Sequence, residues 1–241
     1  RRVFGDPVFW QALAHNFFLL AASLLVQIPA AFGLALFLAR LARARVLRGF
    51  LRAGYFVPMM LPTAAIGWIW FLLLDPVPEA GALSALLHGL GVARADLPHW
   101  LGSGTLVLPT LIFVISWRYI GFHMVILLAG LVSIPQEFYE AARVDGADDW
   151  QCFRYVTLPQ MIRPLGISAM LAIVGSLRYF DLVYIMTAGG PAHASELVAT
   201  YMFKSAFAAG EYSYAAALAI FLTVISLAVT GTARWMLRRG R

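Results

Sequence analysis

Three charged residues stand inside otherwise apolar stretches of the chain: Arg118, Arg178 and Asp181. A charge at the centre of a bilayer costs roughly 2.5–3.5 kcal/mol on insertion scales. Such groups are therefore expected to face protein or water. Trp117, Tyr119, Ile120, Gly121, His123 and Tyr179 lie beside them in sequence. Aromatic faces next to planar hydrogen-bonding groups suit a polyhydroxyl solute, and a guanidinium fork suits vicinal hydroxyls as well as anions. These nine residues are the candidate solute path, near the midplane where transporters place such sites. A second reading stays open. Arg178 and Asp181 are spaced i, i+3 and can pair on one helix face, which would make them a neutralised structural pair with Arg118 bonded to carbonyls. His123 has no His, Asp or Glu cluster around it, so neither a catalytic nor a metal site is expected, and no cofactor. No Gly-x4-Gly-Lys-Ser/Thr phosphate loop is present.

The second constellation is polar and lies between two apolar segments. Ser133-x-x-Gln136 reads as a capping box with Pro135 in the first helical turn. The helix it opens is expected to reach about Asp145, with Gly146 supplying the left-handed residue that ends it. Asp148-x-x-Gln151 reads as a second box, opening a helix that carries Trp150, Phe153 and Val156 and stops at Pro159. Two capped helices with small residues on the first and apolar residues on the second form a hairpin suited to a groove on a partner. The hairpin occupies residues 133–160.

The elements that must carry these groups are transmembrane. The chain has 241 residues, 61% hydrophobic and 12% charged, far from a soluble domain. A span needs about 20 apolar residues. Five segments qualify: Phe17–Ala39, Gly54–Leu74, Thr105–Val132, Leu165–Ala188 and Tyr212–Ala233. The expected fold is all-α, a polytopic helical bundle in a lipid bilayer. Arginines cluster in alternate loops: Arg40, Arg43, Arg45, Arg48 and Arg52; then Arg143, Arg154 and Arg163; then Arg234, Arg238, Arg239 and Arg241. The positive-inside rule makes that side, with the hairpin and the C-terminus, cytoplasmic. The basic balance is thus topogenic, and no nucleic-acid partner is expected. Pro29 interrupts the first span, Pro58 and Pro62 break the start of the second, and Pro109 sits early in the third; lipid-embedded helices tolerate proline when neighbours re-satisfy the freed groups. A short interfacial helix is expected near Leu83–Leu90 in the loop that opens Asp75-Pro76-Val77-Pro78. Another is expected at Glu196–Ala208 on the outer surface, with Leu197, Tyr201 and Lys204 on one stripe. Cys152 is the single cysteine, so no intrachain disulfide forms.

The stretch Glu140-Ala141-Ala142-x3-Gly146-x9-Val156-x-Leu158-Pro159 resembles the EAA loop of ABC-importer permeases, with valine at the position of isoleucine. Three further strings resemble the carbohydrate branch: Asp6-Pro7-Val8-Phe9-Trp10 with His15-Asn16, Trp117-x3-Gly121-Phe122-x-Met124, and Phe180-Asp181-Leu182-Val183-Tyr184-x-Met186-Thr187-x-Gly189-Gly190-Pro191. The resemblance covers nearly the whole chain. It implies a type I ABC-importer permease fold in one transmembrane domain, residues 1–241, in a bacterial inner membrane. It also implies six spans, so that one would precede residue 1. The implied partners are an ABC ATPase dimer, a second permease subunit forming a heterodimer, and an extracytoplasmic solute-binding protein. The implied coupling residues are Glu140, Ala141, Ala142, Asp145, Gly146, Phe153, Leu158 and Pro159.

The function expected is that of a non-catalytic subunit importing a sugar or polyol, with ATP hydrolysed by the partner. The alternatives are a permease for a polyamine or other small polar solute, an intramembrane enzyme, or a channel. An enzyme would need a reactive constellation at membrane depth, and a channel would need no coupling hairpin.

Overall fold

The computed structural model describes residues 2–41, 45–75, 77 and 81–239. Arg43, Pro76, Pro78 and Arg241 lie outside them. Among the described residues the regular elements are all helices. Helix α1 (Pro7–Ala22) starts at Asp6, whose carboxylate accepts the amide N–H of Val8 at 2.9 Å, with Pro7 in the first turn. A π turn, Ser23–Gln27, joins it to α2 (Ile28–Arg40), and the three form one apolar helix of 34 residues. The π turn sits just before Pro29, whose ring clashes with the preceding turn and which donates no N–H.

α3 (Arg45–Met60) and α4 (Thr63–Leu73) meet at a 95° bend. The second expected span is therefore two helices, broken at Leu61-Pro62, where a residue before proline avoids helical geometry. α5 (Ala82–Gly89) is the expected short helix of the next loop. α6 (Val107–Val132) is the central helix, with twelve residues buried. Among the described residues, four helices are long and apolar enough to cross a membrane, and the bent pair makes five if counted as one. Their outward faces stay apolar, as Leu25, Ile220 and Leu227 show at 76%, 65% and 70% exposure.

Four expectations are corrected. Ser133 does not cap a new helix. Its hydroxyl donates back to the carbonyl of Gly130 at 2.7 Å and closes α6, so α7 (Gln136–Val144) starts from Pro135 without a side-chain cap. Pro159 does not stop the hairpin's second helix. α8 (Asp149–Cys152) passes through a π turn, Phe153–Thr157, into α9 (Leu158–Leu177), a continuous helix of 29 residues. The π turn again precedes a proline, so Pro159 falls in the first turn of α9, where its missing N–H is absorbed.

The fourth expected span is not one helix to Ala188. It breaks at Arg178–Phe180 and resumes as α10 (Asp181–Thr187). Arg178 and Asp181 therefore do not share a helix face, and no ion pair joins them among the described residues. Lastly, α11 (Val198–Phe207) is no surface helix: Val198 and Ala199 are buried in a cluster with Phe9, Leu13 and Leu218 of α1 and α12 (Tyr212–Arg239). Of the expected stripe, Leu197 is buried and Tyr201 packs against that cluster, while Lys204 stays partly exposed.

Candidate functional site

The break in the fourth helix opens a cavity of about 420 Å³. Its walls come from the π turn of the first helix, the middle of α6, the end of α9 and the start of α10. Five of the nine solute-path candidates line it: Tyr119, His123, Arg178, Tyr179 and Asp181. The rings of Tyr119 and Tyr179 meet edge-on at 6.1 Å. Arg178 and Asp181 are both exposed in this chain, so their charges are not buried within it. His123 is buried, with Nδ1 2.7 Å from the hydroxyl oxygen of Ser168 on α9.

The other four candidates lie elsewhere. Trp117 packs edge-on against Trp70 of α4 at 5.4 Å. Arg118 is buried, 6% exposed, and its Nη2 donates to the carbonyl of Leu61 at 3.3 Å, at the bend between α3 and α4. Its charge therefore meets a helix C-terminus, where carbonyls point outward unpaired and the dipole is negative. Ile120 packs into the apolar cluster between α2, α6 and α9. Gly121 lies against the backbone of α3.

Sequence reading missed three polar residues of the cavity, Ser23, Gln27 and Ser176. Ser23 and Gln27 are almost fully buried, and the Ser176 hydroxyl donates to that of Ser23 at 3.0 Å. It also missed Asn16, which is 0% exposed. The Asn16 amide donates to the carbonyls of Ser176 and Leu177 at 3.0 and 3.2 Å and accepts the N–H of Val198 at 3.0 Å. It thus caps the broken end of α9, whose last carbonyls have no helical partner, and ties it to α11. The available signal was an asparagine in an apolar run, since a buried amide needs all its partners. Together the cavity offers tyrosine and phenylalanine faces, serine and glutamine hydrogen-bonding groups, one guanidinium and one carboxylate. That set can hold a neutral polyhydroxyl molecule without leaving a buried charge unpaired.

At the arginine-rich end stands the hairpin. Gly146 has φ +85°, and the N–H of Ala147 reaches the carbonyl of Ala142 at 2.9 Å while that of Gly146 reaches Arg143 at 3.0 Å. This is a Schellman closure of α7. Asp148 and Gln151 form the expected capping box, each side chain accepting the other's N–H, at 2.7 and 2.8 Å. Glu140, Ala141, Asp145 and Gly146 are exposed, as is Pro159, whereas Ala142, Phe153 and Leu158 are partly buried. Phe153 faces inward, 6.3 Å from the ring of Phe32 on α2. Val144 and Trp150, at 87% and 68% exposure, form an apolar tip in solvent. Under the hairpin lies a second cavity of about 800 Å³, lined in part by Arg40, Tyr139, Arg143 and Cys152.

A family described as binding-protein-dependent transport system inner membrane component matches residues 31–241. Among similar proteins, the probable ABC transporter permease protein YurN of Bacillus subtilis is 33% identical over 231 residues, 95% of this chain and 77% of YurN. The diacetylchitobiose uptake system permease protein NgcF of Streptomyces coelicolor is 31% identical over 233 residues, 94% of this chain and 65% of NgcF. Among solved structures, a chain of a bacterial alginate ABC transporter in complex with alginate pentasaccharide-bound periplasmic protein aligns with a TM-score of 0.87 at 24% identity, covering 99% of this chain and 81% of that one. That likeness is one of fold. The chain belongs to the family of binding-protein-dependent transport system inner membrane components, as the non-catalytic, multi-pass permease subunit of an ABC importer.

Proposed function

We propose that this permease carries a sugar or related polyol into the cytoplasm through the cavity at the helix break. The observation that carries this reading is the lining: Tyr119 and Tyr179 rings beside Ser23, Gln27, Arg178 and Asp181. Stacking faces with neutral and bidentate hydrogen-bonding groups match the alternating apolar and hydroxyl surfaces of a sugar ring. The relative NgcF, which bears a diacetylchitobiose uptake name, supports the sugar class.

The hairpin at residues 133–160 is the EAA element that docks an ATPase subunit on the cytoplasmic side, with the C-terminus on the same side. Glu140, Ala141, Ala142, Asp145, Gly146 and Pro159 present the docking surface, and Phe153 and Leu158 anchor it to the bundle. A second permease completes the path at the open side of the cavity, where Arg178 and Asp181 are exposed. An extracytoplasmic binding protein delivers the solute. Residues 1–241 act together as one transmembrane domain.

The test is ATP hydrolysis by the reconstituted complex, with the cognate binding protein presented with diacetylchitobiose and a panel of other mono- and oligosaccharides. Stimulation by a sugar supports the reading. Stimulation only by a polyamine or amino acid overturns the sugar class. Gly146→Val serves as the coupling control. It puts a β-branched residue where the backbone is left-handed, at a cost of about 1–2 kcal/mol, and should release the ATPase in a pull-down.

A further inference from the structure

Outside the cavity, one carboxylate among the described residues is completely buried: Glu196 is 0% exposed. Thr200 donates its hydroxyl to Oε1 at 2.7 Å, and His193 Nδ1 donates to Oε2 at 2.8 Å. Lys204 Nζ donates to the same oxygen. The Glu196 carbonyl accepts from His15 Nδ1 of α1 at 2.9 Å. A buried carboxylate is tolerated when it is paired and its lone pairs are filled, and removing a partner is costly.

These bonds hold the segment 188–195, which links α10 to α11. Gly189 has φ +83°, and a Cβ there would stand 2.5 Å from Oε1 of Glu196, so the segment is folded directly onto the carboxylate. Ala188, Ala192 and His193 also have positive φ, at 48°, 44° and 63°. Such residues are strained without glycine's freedom and persist only where surrounding contacts dictate them. Lys204 Nζ adds a bond to the carbonyl of Ala188 at 3.1 Å. The hydroxyl of Thr187, the last residue of α10, is 2.8 Å from that of Ser195. The segment is thus bound at both ends.

Its placement links two regions. The side chains of His193 and Lys204 reach the surface, 41% and 30% exposed. In the other direction the segment continues α10, whose first residue, Asp181, lines the cavity. The rest of α10, from Leu182 to Thr187, therefore separates the clamped segment from the candidate solute site.

We propose that Glu196 is a positioning residue for transport: its carboxylate clamps segment 188–195 into the shape that a solute-loaded binding protein engages, and through α10 it sets the place of Asp181. The inference rests on the reading in which a binding protein delivers the solute. The test uses the complete reconstituted transporter, with ATP hydrolysis followed against the concentration of binding protein carrying the sugar that stimulates most strongly in the panel above. Half-saturating concentration and maximal rate are read separately, with the melting temperature of each variant.

Glu196→Gln is expected to raise the half-saturating concentration by about tenfold or more, and Glu196→Asp to recover part of that loss. His193→Ala leaves the Glu196–Lys204 pair in place. It is expected to raise the same concentration several-fold with a smaller fall in melting temperature than Glu196→Gln. Wild-type half-saturation in both Glu196→Gln and His193→Ala overturns the proposal, whatever happens to melting. If Glu196→Gln fails to assemble, wild-type behaviour of His193→Ala overturns it too. A wild-type complex that no loaded binding protein stimulates contradicts the transport reading itself, and this inference with it.

Discussion

Gly121 of α6 lies directly on the carbonyl of Tyr55 in α3. A Cβ at Gly121 would stand 1.9 Å from that oxygen and 2.5 Å from the carbonyl carbon. Both neighbours are backbone, so neither can swing away as a side-chain tip would. The two helices cross here with no room for a side chain between their main chains, and Arg118, three residues earlier on α6, reaches the end of α3 at Leu61.

The first prediction follows from that contact. Overpacking a filled interior costs roughly 1–3 kcal/mol, and a backbone obstacle puts Gly121→Val at or above the top of that range. Gly33 of α2 has open space around it, so Gly33→Ala is the control. Thermal unfolding of the purified protein should show a large drop for the first and little change for the second. Equal, small shifts would contradict the close crossing.

The second prediction concerns the hairpin surface. Cys152 is 5% exposed and faces the cavity beneath the hairpin, whereas Trp150 on the same short helix points into solvent. With a cysteine placed in the ATPase groove, native Cys152 should cross-link poorly under mild oxidation, and Trp150→Cys in a Cys152→Ser background should cross-link well. The reverse order would mean that the hairpin presents a different face to its partner.

A third prediction uses pH. Burial alone would raise the Asp6 carboxyl, but hydrogen bonds from Tyr214, Tyr201 and the N–H of Val8 outweigh it and hold Asp6 below its ordinary 3.8. Burial, followed by its hydrogen bond to Asp6, pushes Tyr201 up to about 12 from 10.0. A depressed carboxyl stabilises the fold above its unfolded value and loses that contribution as pH falls through the folded value, so the acid-side loss lies below 3.8. A raised phenol stabilises below 10.0 and loses the contribution as pH climbs toward about 12. Asp6→Asn should flatten the acid limb of a melting-temperature profile and shrink the alkaline one. An acid limb identical to wild type would remove Asp6 from the account.

What was legible in the sequence was local. The Asp148–Gln151 box, the left-handed Gly146 and the break beside Pro62 are each encoded within four residues, and the fold keeps all three. The break at Arg178–Phe180 was not legible, because Ser176, Leu177 and Arg178 contain nothing that stops a helix. The carbonyls freed there are satisfied by Asn16, some 160 residues away in sequence, and no local pattern announces such a partner. Two of the prolines read as breaks or kinks, Pro29 and Pro159, are instead absorbed by π turns. For the solute path, adjacency in sequence does not bring side chains to one site. Successive residues of α6 face different partners, so Tyr119 and His123 reach the cavity while Trp117, Arg118, Ile120 and Gly121 turn to α4, α3 and the core.

Radiolabelled sugar uptake into proteoliposomes carrying the permease with its partner subunits tests whether solute crosses through this cavity. Uptake should require both ATP and the loaded binding protein. Tyr119→Ala, which strips an aromatic face from the cavity, should cut it about tenfold, the scale of about 1.4 kcal/mol of lost binding, with ATPase co-purification intact. Uptake that proceeds without ATP, or that Tyr119→Ala leaves at the wild-type rate, would contradict a coupled path through this cavity.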